Sequence, residues 1–274
     1  MNPADNLIEV RDLHFAYGQS RPILRGVDFD IQRGHVVAIL GTSGSGKTTL
    51  LQLIGGLLKP RRGRIRVCGA EVTGLDAAGL YAMRRNMGVM FQKGGLFSDL
   101  SVFENIAFPM REHTRLPEPL IHDLVLMKLH AVGLRGAQSL MPGELSGGMS
   151  RRVALARAIA LDPQLIIYDE PFAGLDPITL NVVCDLIRTL NDALGATSVV
   201  VTYDVHEAVR LADYLYILGE GVIVGHGATQ EMLASTDPFV HQFLHAEPDG
   251  PVRFHFPAKP LAAELDMAAP ARPA

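Results

Sequence analysis

The hydrophobic and polar positions of this chain follow a pattern that changes along its length. Residues 8–15 and 26–31 alternate apolar and polar side chains with a period of two, which is typical of antiparallel strands with one solvated face. Later apolar runs are short and continuous, and helical stretches separate them. Such runs predict a parallel sheet that is covered on both faces. The strands predicted from these runs are residues 36–40, 87–91, 165–170 and 198–202, and a helix is predicted over residues 177–194.

The middle of the chain, residues 102–140, has helical spacing and lacks the β-rich runs on either side. We therefore predict an inserted α-helical subdomain there. Proline and glycine are expected to break its helices, because proline lacks an N–H donor and glycine favours other backbone conformations. The predicted breaks are at Pro109, Pro117, Pro119 and Gly133.

After residue 245 the composition shifts to proline, alanine and glycine. Within this segment, residues 252–256 are expected to form a strand or an extended docking segment, and residues 268–274 are predicted to be disordered. The predicted organisation is a core over residues 1–92 and 146–245, a helical subdomain over 93–145 and a C-terminal extension over 246–274.

Composition and charge narrow the class of protein. The chain has 274 residues and a formal net charge of −4, so it lacks the basic field that a nucleic-acid binder uses. Cys68 and Cys184 lie far apart without metal-ligand spacing, which predicts a reducing compartment. We find no leader pattern and no apolar run near the roughly 20 residues of a membrane span. We expect a soluble chain whose membrane association would come through a partner.

One basic run, residues 59–66, stands out within this acidic chain. We interpret it as a solvated turn that leads into a strand, and a phosphate or lipid-headgroup patch is the alternative.

The most specific motif is the glycine-rich segment between the run 36–40 and a helical stretch that begins near Lys47. Its glycines let successive N–H groups point inward, and the helix adds its positive N-terminal end, so the segment predicts a polyphosphate site. Lys47 would reach the β- and γ-phosphates, and the Thr48 hydroxyl would bind Mg²⁺. A purely structural turn is the alternative. The predicted nucleotide contacts are Gly41, Thr42, Ser43, Gly44, Ser45, Gly46, Lys47, Thr48 and Thr49.

Two acidic residues end the strand predicted over residues 165–170. Asp169 lies at its carboxyl end, where a nucleotide site holds Mg²⁺ directly or through water. Glu170 follows, and at the frayed strand end its carboxylate would turn toward the γ-phosphate and orient or deprotonate the attacking water. Two solvated acids at a strand end are the alternative interpretation.

A second anion site is predicted where residues 145–149 open a helix over residues 150–161. Ser146 is a good N-cap, and Gly147 and Gly148 leave backbone N–H groups uncovered. Phosphoryl transfer needs charge neutralised on all sides of the γ-phosphate. Two phosphate-binding loops far apart in sequence therefore raise the question of whether one subunit supplies both sides of one nucleotide.

The order of these motifs resembles that of the ATP-binding-cassette (ABC) ATPases, and the resemblance covers residues 6–245. It implies an α/β fold: a P-loop NTPase core of RecA-like type with an antiparallel β subdomain and an inserted α-helical subdomain. It also implies that the chain binds ATP with Mg²⁺ and hydrolyses ATP.

The same resemblance implies a head-to-tail homodimer. Each ATP would lie between the Lys47 loop of one subunit and the loop of the other that contains Ser146, Gly147 and Gly148. By this match Tyr17 stacks on the adenine and Asp176 lies at the dimer seam. Gln92 contacts Mg²⁺ and the attacking water, and it signals to a membrane subunit.

Within that superfamily, residues 91–109 and the signature Leu145–Met149 with the following Arg151 and Arg152 resemble the ATPase subunits of Mla-type phospholipid transporters. This resemblance implies two copies beneath two permease subunits, at the cytoplasmic side of a Gram-negative inner membrane. Such systems move phospholipids between the inner and outer membranes, and they also contain a mammalian-cell-entry-domain protein and a small STAS-domain protein. Residues 250–254 resemble the family's C-terminal extension, which reaches toward the neighbouring ATPase subunit.

One position departs from the family pattern. Where ABC ATPases usually carry a histidine that donates a hydrogen bond to the γ-phosphate, this chain has Tyr203. Tyrosine keeps a hydroxyl donor but reaches further and has no cationic form. We therefore expect catalysis with Glu170 as the base, at a lower rate than with histidine. His206 is expected on the first turn of the next helix, as a surface or packing residue.

Three alternatives stay open at this point. The chain could be an ABC ATPase that acts on nucleic acid or ribosomes without a membrane subunit, although the sequence lacks tandem cassettes, a coiled coil and a basic arm. It could serve a transporter of another substrate. It could also bind ATP as a degenerate cassette with a structural or regulatory role, an interpretation that only Tyr203 favours.

Overall fold

The computed structural model describes residues 5–18, 21–92 and 94–252. The chain divides into two compact units, Met1–Met232 and Leu233–Ala274. Every predicted site residue lies in the first unit. The boundaries predicted at residues 92, 145 and 245 stay predictions. Residues 253–256 and 268–274, for which we predicted a docking segment and disorder, lie outside the described residues.

The described part of the chain contains two β-sheets, and α-helices occur in both its N-terminal and its C-terminal half. The strands are β1 (Asn6–Phe15), β2 (Leu24–Gln32), β3 (Val36–Leu40), β4 (Arg62–Val67), β5 (Ala70–Glu71), β6 (Met87–Met90), β7 (Leu165–Asp169), β8 (Thr197–Val201), β9 (Tyr214–Gly219) and β10 (Val222–Ala228). The α-helices are α1 (Lys47–Ile54), α2 (Ala77–Arg84), α3 (Val102–His113), α4 (Glu118–Ala131), α5 (Gly147–Ala158), α6 (Pro177–Leu194), α7 (Val205–Leu211), α8 (Thr229–Leu233) and α9 (Pro238–His245).

The first sheet is antiparallel and has the strand order β2-β1-β4-β5. The predicted pairing of the first two strands is confirmed, and Ile8 and Val10 of β1 are fully buried. After Val10 the alternation of buried and less buried positions shifts by one residue, so the next buried side chain is Leu13. The shift occurs because the pairing register with β2 changes between Val10 and Leu13. Asp12, within this irregularity, has a φ of 47°. The bulge thus keeps the apolar face of β1 on the core.

The second sheet has the order β10-β9-β3-β8-β7-β6, and all its pairs are parallel except β10 with β9. All five residues of β3 and of β8 are buried, which is why β3 and the last three residues of β8 are continuous apolar runs. Parallel strands place their carboxyl ends at one edge of the sheet. Gly41, Glu170 and Thr202 follow β3, β7 and β8 directly, so the sheet brings these positions together.

The observed helices differ from the predicted ones in several of their boundaries. α3 runs through Pro109, so the predicted break there is wrong. The apolar face of α3, including Ile106 and Met110, is buried on both sides of the proline, and this burial outweighs one missing backbone hydrogen bond. Pro119 lies in the first turn of α4, where proline is tolerated, so the break predicted there is also wrong. The chain does leave helical structure at Pro117 and Gly133.

α5 begins at Gly147, three residues earlier than predicted, and ends at Ala158. The Ser146 hydroxyl accepts a hydrogen bond from the N–H of Met149 at 3.2 Å, so the helix starts directly after its cap.

The second unit contains α9, which Asp237 caps by accepting hydrogen bonds from the N–H groups of Phe239 and Val240. The buried Gln242 side chain pairs with the backbone N–H and carbonyl of Val252 at 2.8 and 3.0 Å. Within the described ranges, no helix combines the length and hydrophobicity that a membrane span requires.

Candidate functional site

The glycine-rich segment forms a tight loop between β3 and α1. A Cβ on Gly41 would lie 2.3 Å from the carbonyl oxygen of Leu218, so a side chain does not fit there. Gly46 has a φ of 106° and is the N-cap of α1, without a side-chain hydrogen bond to the first turn. Backbone N–H groups at the start of α1 therefore have no side-chain acceptor, which is the arrangement that binds phosphate groups.

Lys47 lies on the floor of this loop and is only 7% exposed. Its Nζ donates hydrogen bonds to the carbonyl oxygens of Gly41 at 2.7 Å and Thr42 at 3.1 Å. Burial lowers the pKa of the Lys47 ammonium, and the charges of Glu170 and Asp169 oppose this shift. The ammonium thus binds the carbonyls of the loop and is subject to the charges of two carboxylates. It can exchange these backbone carbonyls for phosphate oxygens.

Asp169 ends β7 beside the start of α1. Burial raises the pKa of its carboxyl, while the Lys47 charge and a hydrogen bond from Thr48 oppose the shift. Asp169 Oδ1 and Ser45 Oγ are buried and have no hydrogen-bond partner among the described residues. Unpartnered buried oxygens beside a lysine and a threonine hydroxyl fit a divalent cation and a phosphate group.

The donor set also fits the chemistry of Mg²⁺ in particular. Over the described ranges, no group of three or more histidine, cysteine, aspartate or glutamate side chains could hold a metal by itself. Mg²⁺ is commonly bound through one or two carboxylates together with water and substrate phosphates. Asp169 and the Thr48 hydroxyl would supply the protein's share of such a site.

Glu170 follows β7 in a left-handed backbone conformation, with a φ of 49°. Its N–H donates to the carbonyl of Val201 at 2.8 Å, and its Oε2 accepts a hydrogen bond from the N–H of Tyr203 at 3.4 Å. Burial raises the pKa of the Glu170 carboxyl, against the Lys47 charge and the hydrogen bonds from Tyr203 and Thr202. A strained backbone and a base strengthened by burial are typical of a functional position.

Lys47, Thr48 and Glu170 line one cleft with a volume of about 360 Å³. The predicted site residues Gly41, Thr42 and Asp169 are not among its lining residues. Gln92, which follows β6, and Tyr203, which follows β8, also line it. The structure therefore brings together residues from the ends of β3, β6, β7 and β8, as parallel topology requires. The lining residues are Ile23, Ser43, Gly44, Ser45, Gly46, Lys47, Thr48, Thr49, Gln92, Glu170 and Tyr203.

Tyr17 lies beside this cleft rather than in its lining. Its hydroxyl is 3.3 Å from both Thr49 Oγ1 and Gln52 Oε1, and its ring packs edge-on against Phe15 at 4.9 Å. The side chain is 45% exposed. An aromatic surface next to the start of α1 is suitably placed for stacking on a base.

The second predicted anion site is outside the cleft. Ser146, Gly147, Gly148 and Asp176 are not among the residues that line it. Asp176 caps α6 by accepting hydrogen bonds from the N–H groups of Ile178 and Thr179 at 3.0 Å. A Cβ on Gly148 would lie 2.4 Å from the Thr179 side chain, so the starts of α5 and α6 are packed together. Ser146 and Asp176 therefore belong to one neighbourhood, separate from Lys47.

Comparison with known proteins identifies the family. The family model for the ABC transporter matches residues 24–173. Over 260 residues the chain is 54% identical to the intermembrane phospholipid transport system ATP-binding protein MlaF of Haemophilus influenzae, covering 95% of this chain and 98% of that protein.

The chain belongs to the ABC transporter family.

Solved structures agree with this family assignment. The chain is 31% identical to cbiO1 from Clostridium perfringens, with a TM-score of 0.78 over 88% of this chain and 95% of that one. It is 31% identical to the ATP-binding cassette MJ0796, solved as a dimer with ADP and Pi, with a TM-score of 0.75 over 81% of this chain and 98% of that one. The predicted α/β ABC fold is confirmed, and this ABC subunit is an ATPase that binds ATP.

An apolar groove of about 390 Å³, here called the aromatic groove, lies next to the Gln92 segment of the ABC subunit. Phe91, Phe97 and Phe108 are 49%, 43% and 45% exposed, and the rings of Phe97 and Phe108 lie 5.0 Å apart. Clustered exposed aromatic side chains mark an interaction surface more often than a solvated one. Phe91 directly precedes Gln92, so the aromatic groove and the nucleotide cleft share one segment of chain.

Sequence reasoning missed three residues near this ATPase site. Ile23 lines the cleft, and the buried Thr202 donates toward Glu170. Thr202 could have been found, because Asp169 and Val201 are register partners and the next residues of both strands must meet. Arg151 donates hydrogen bonds to two backbone carbonyls, and carbonyl partners have no signature in a sequence.

Proposed function

We propose that the chain is the ATP-hydrolysing subunit of a transporter that moves phospholipids between the inner and outer membranes of a Gram-negative bacterium. The relative from Haemophilus influenzae bears the name of an intermembrane phospholipid transport system, and it matches this chain over nearly the whole length of both. The subunit would work at the cytoplasmic side of the inner membrane, attached through permease subunits. A mammalian-cell-entry-domain protein and a small STAS-domain protein would complete the complex, with no role for nucleic acid.

The observation that carries the proposal is the separation of the two anion-binding loops. The Lys47 loop lines a cleft with Glu170, and the Ser146 loop does not. A γ-phosphate held by Lys47 needs further donors on its open side. The N-terminus of α5 in a second copy would supply them, so we propose a head-to-tail homodimer that encloses two ATP molecules. MJ0796, whose structure is a dimer bound to ADP and Pi, supports by analogy a dimer that binds nucleotide.

The proposed chemistry uses the cleft residues in distinct roles. Lys47 and the N–H groups at the start of α1 would hold the β- and γ-phosphates, and Tyr17 would stack on the adenine. Thr48, Asp169 and Gln92 would hold Mg²⁺, which when bound neutralises charge on the phosphate oxygens.

Glu170 would be the general base of this site. It would accept a proton from a water molecule whose oxygen attacks the γ-phosphorus, while the bond to the bridging oxygen of ADP breaks. Its raised pKa makes the carboxylate a better proton acceptor. Tyr203 would donate its hydroxyl to the γ-phosphate as a neutral donor.

The aromatic groove would receive a cytoplasmic helix of the permease. The exposed rings of the aromatic groove form an apolar surface next to Gln92. A helix bound there would therefore respond to a movement of the Gln92 side chain. This arrangement would couple the nucleotide cleft to the membrane subunit.

Membrane fractionation tests the proposal. The full-length chain is expressed with and without an Mla-type permease, and we expect it to sediment with membranes only when the permease is present. Phe97→Asp places a charge in the aromatic groove and should release the chain from the membranes. Met127→Asp is the matched control, because Met127 is 65% exposed but does not line the groove. Recovery with ribosomes or DNA in place of membranes would contradict the proposal.

A further inference from the structure

Two turns of the chain carry Gln92 and Glu170 into the nucleotide cleft. The first turn is closed by a hydrogen bond from the N–H of Gly94 to the carbonyl of Phe91 at 2.8 Å, and Gln92 lies inside it. The second is closed by a hydrogen bond from the N–H of Ala173 to the carbonyl of Glu170 at 3.3 Å. The two turns follow different strands, β6 and β7, so backbone pairing does not fix the distance between them beyond the strand ends.

One side chain of α5 bridges the two turns. Nη1 of Arg151 donates to the carbonyl of Phe91 at 3.3 Å, and Nη2 donates to the carbonyl of Ala173 at 3.2 Å. A guanidinium is planar and presents its donors in a rigid fork, so it holds two acceptors at a set separation. α5 also begins at the Ser146 loop, so the bridge connects that loop to both turns.

A second arginine of α5 fixes the segment that follows the first turn. Arg157 donates to the carbonyls of Gly95 at 2.7 Å and Gly94 at 2.9 Å, and its guanidinium lies over the ring of Phe97 at 5.8 Å. Gly94 and Gly95 both have left-handed φ values, 74° and 60°. Arg157 therefore contacts the segment of the first turn and the aromatic groove. Of the two arginines, Arg151 is the one that also contacts the second turn, which contains Glu170.

We propose that Arg151 is a positioning residue for ATP hydrolysis, which sets the spacing between Gln92 and Glu170 and ties both to the helix of the Ser146 loop. Arg151 does not line the cleft, so it acts through the two turns and not on the nucleotide. A displacement of about 1 Å in a catalytic group can cost up to about 100-fold in rate. The inference rests on the proposed roles of Gln92 and Glu170.

The test compares Arg151→Gln with Arg152→Gln in the full-length chain. Arg152 is the next residue of α5, but it donates to the carbonyl of Val132, which belongs to neither turn. We expect Arg151→Gln to lower kcat for ATP hydrolysis by about 10- to 100-fold and to change KM by less than about twofold. Arg152→Gln should leave kcat within about twofold of the parent chain.

Two further measurements separate positioning from a loss of fold. Arg151→Lys keeps the charge but not the fork, so it should recover only part of the lost kcat. In a Gln92→Ala background, Arg151→Gln should lower kcat by a smaller factor than it does alone, because part of its effect passes through Gln92. The melting temperatures of all variants show whether each chain is folded.

The proposal would be overturned if Arg151→Gln kept the parental kcat, or if its loss of kcat matched that of Arg152→Gln. It would equally be overturned if the loss of kcat in the double variant equalled the product of the losses in Arg151→Gln and Gln92→Ala. Gln92→Ala and Glu170→Gln are measured alongside. Parental activity in both would refute the roles proposed for Gln92 and Glu170, whereas loss in both with full activity in Arg151→Gln would refute only the bridge.

Discussion

At the scale of single residues, Glu170 combines a left-handed backbone, a buried carboxyl and a raised pKa. The folded chain therefore keeps the Glu170 proton to a higher pH than the unfolded chain does. The neutral Glu170 carboxyl favours the folded chain. This stabilisation is fully present below the ordinary pKa of glutamate, and it is lost as the pH rises through the raised pKa of Glu170 in the folded chain. Glu170 thus costs stability at neutral pH, where a base for hydrolysis must be ionised.

We predict that Glu170→Gln melts a few degrees higher than the parent chain at neutral pH, because the amide removes a buried charge. The difference should shrink as pH falls below the ordinary pKa of glutamate. Thermal melts across pH measure it, with the exposed Glu112→Gln as a control whose melting temperature should not move at neutral pH. A Glu170→Gln chain less stable than the parent at neutral pH would contradict the effect assigned to burial.

Tyr203 gives a second prediction at this scale. It lines the cleft, and its side chain is 58% exposed. Tyr203→His should raise kcat for ATP hydrolysis, and Tyr203→Phe should lower it by about tenfold or more, because removing a donor to developing charge is costly. Steady-state kinetics check both. His206→Ala is the control, since the His206 side chain is 85% exposed on α7; an unchanged rate in Tyr203→His would show that this position does not limit hydrolysis.

At the scale of elements, one buried side chain holds the loop before α3. Asn105 is fully buried, and its amide donates to the carbonyls of Phe97, Leu100 and Ser101 at 2.9–3.1 Å. Its Oδ1 accepts from the N–H of Phe97 at 2.8 Å. The loop that supplies part of the aromatic groove is therefore fixed by side chain to backbone hydrogen bonds.

We predict that Asn105→Ala lowers the free energy of unfolding by about 2–3 kcal/mol, since it leaves buried backbone groups without partners. Urea unfolding measures the change. Asn86→Ala is the control, because Asn86 is exposed and, among the described residues, its side chain makes one hydrogen bond, to the carbonyl of Ala82 at 3.4 Å. Equal effects of the two substitutions would contradict the role of Asn105.

Sequence patterns predicted the elements whose signal is local. Residues 36–40, 165–168 and 199–201 are continuous apolar runs. Lys47 could be assigned from the glycine-rich segment that follows the first run, and Asp169 and Glu170 could be assigned because they come directly after the second. The hairpin of β9 and β10 was not predicted. β9 is a buried apolar run like the other core strands and could have been found, whereas the exposure of β10 alternates irregularly around glycines. The path of α3 through Pro109 depends on packing from elsewhere in the chain. The contacts of Asn105 and Arg151 depend on distant carbonyl groups, which no local pattern reveals.

At the scale of the whole molecule, the groups proposed for hydrolysis, Lys47 and Glu170, line a cleft that includes no residue of the Ser146 loop. The Ser146 loop opens a helix N-terminus, where anions bind, but it contributes no residue to the lining of this cleft. The proposed nucleotide site is therefore complete only when a second copy presents its Ser146 loop to the Lys47 loop of the first.

Mixing two inactive chains tests this claim most directly. Both chains carry Glu170→Gln so that ATP is not consumed; one also carries Lys47→Ala and the other Ser146→Phe. In a mixed dimer, one site combines both defects and the other has an intact Lys47 loop facing an intact Ser146 loop. The account predicts that neither chain alone retains ATP through gel filtration and that the mixture retains about one ATP per mixed dimer. A mixture that retains no more ATP than its two components, or a Ser146→Phe chain that retains ATP alone, would contradict it.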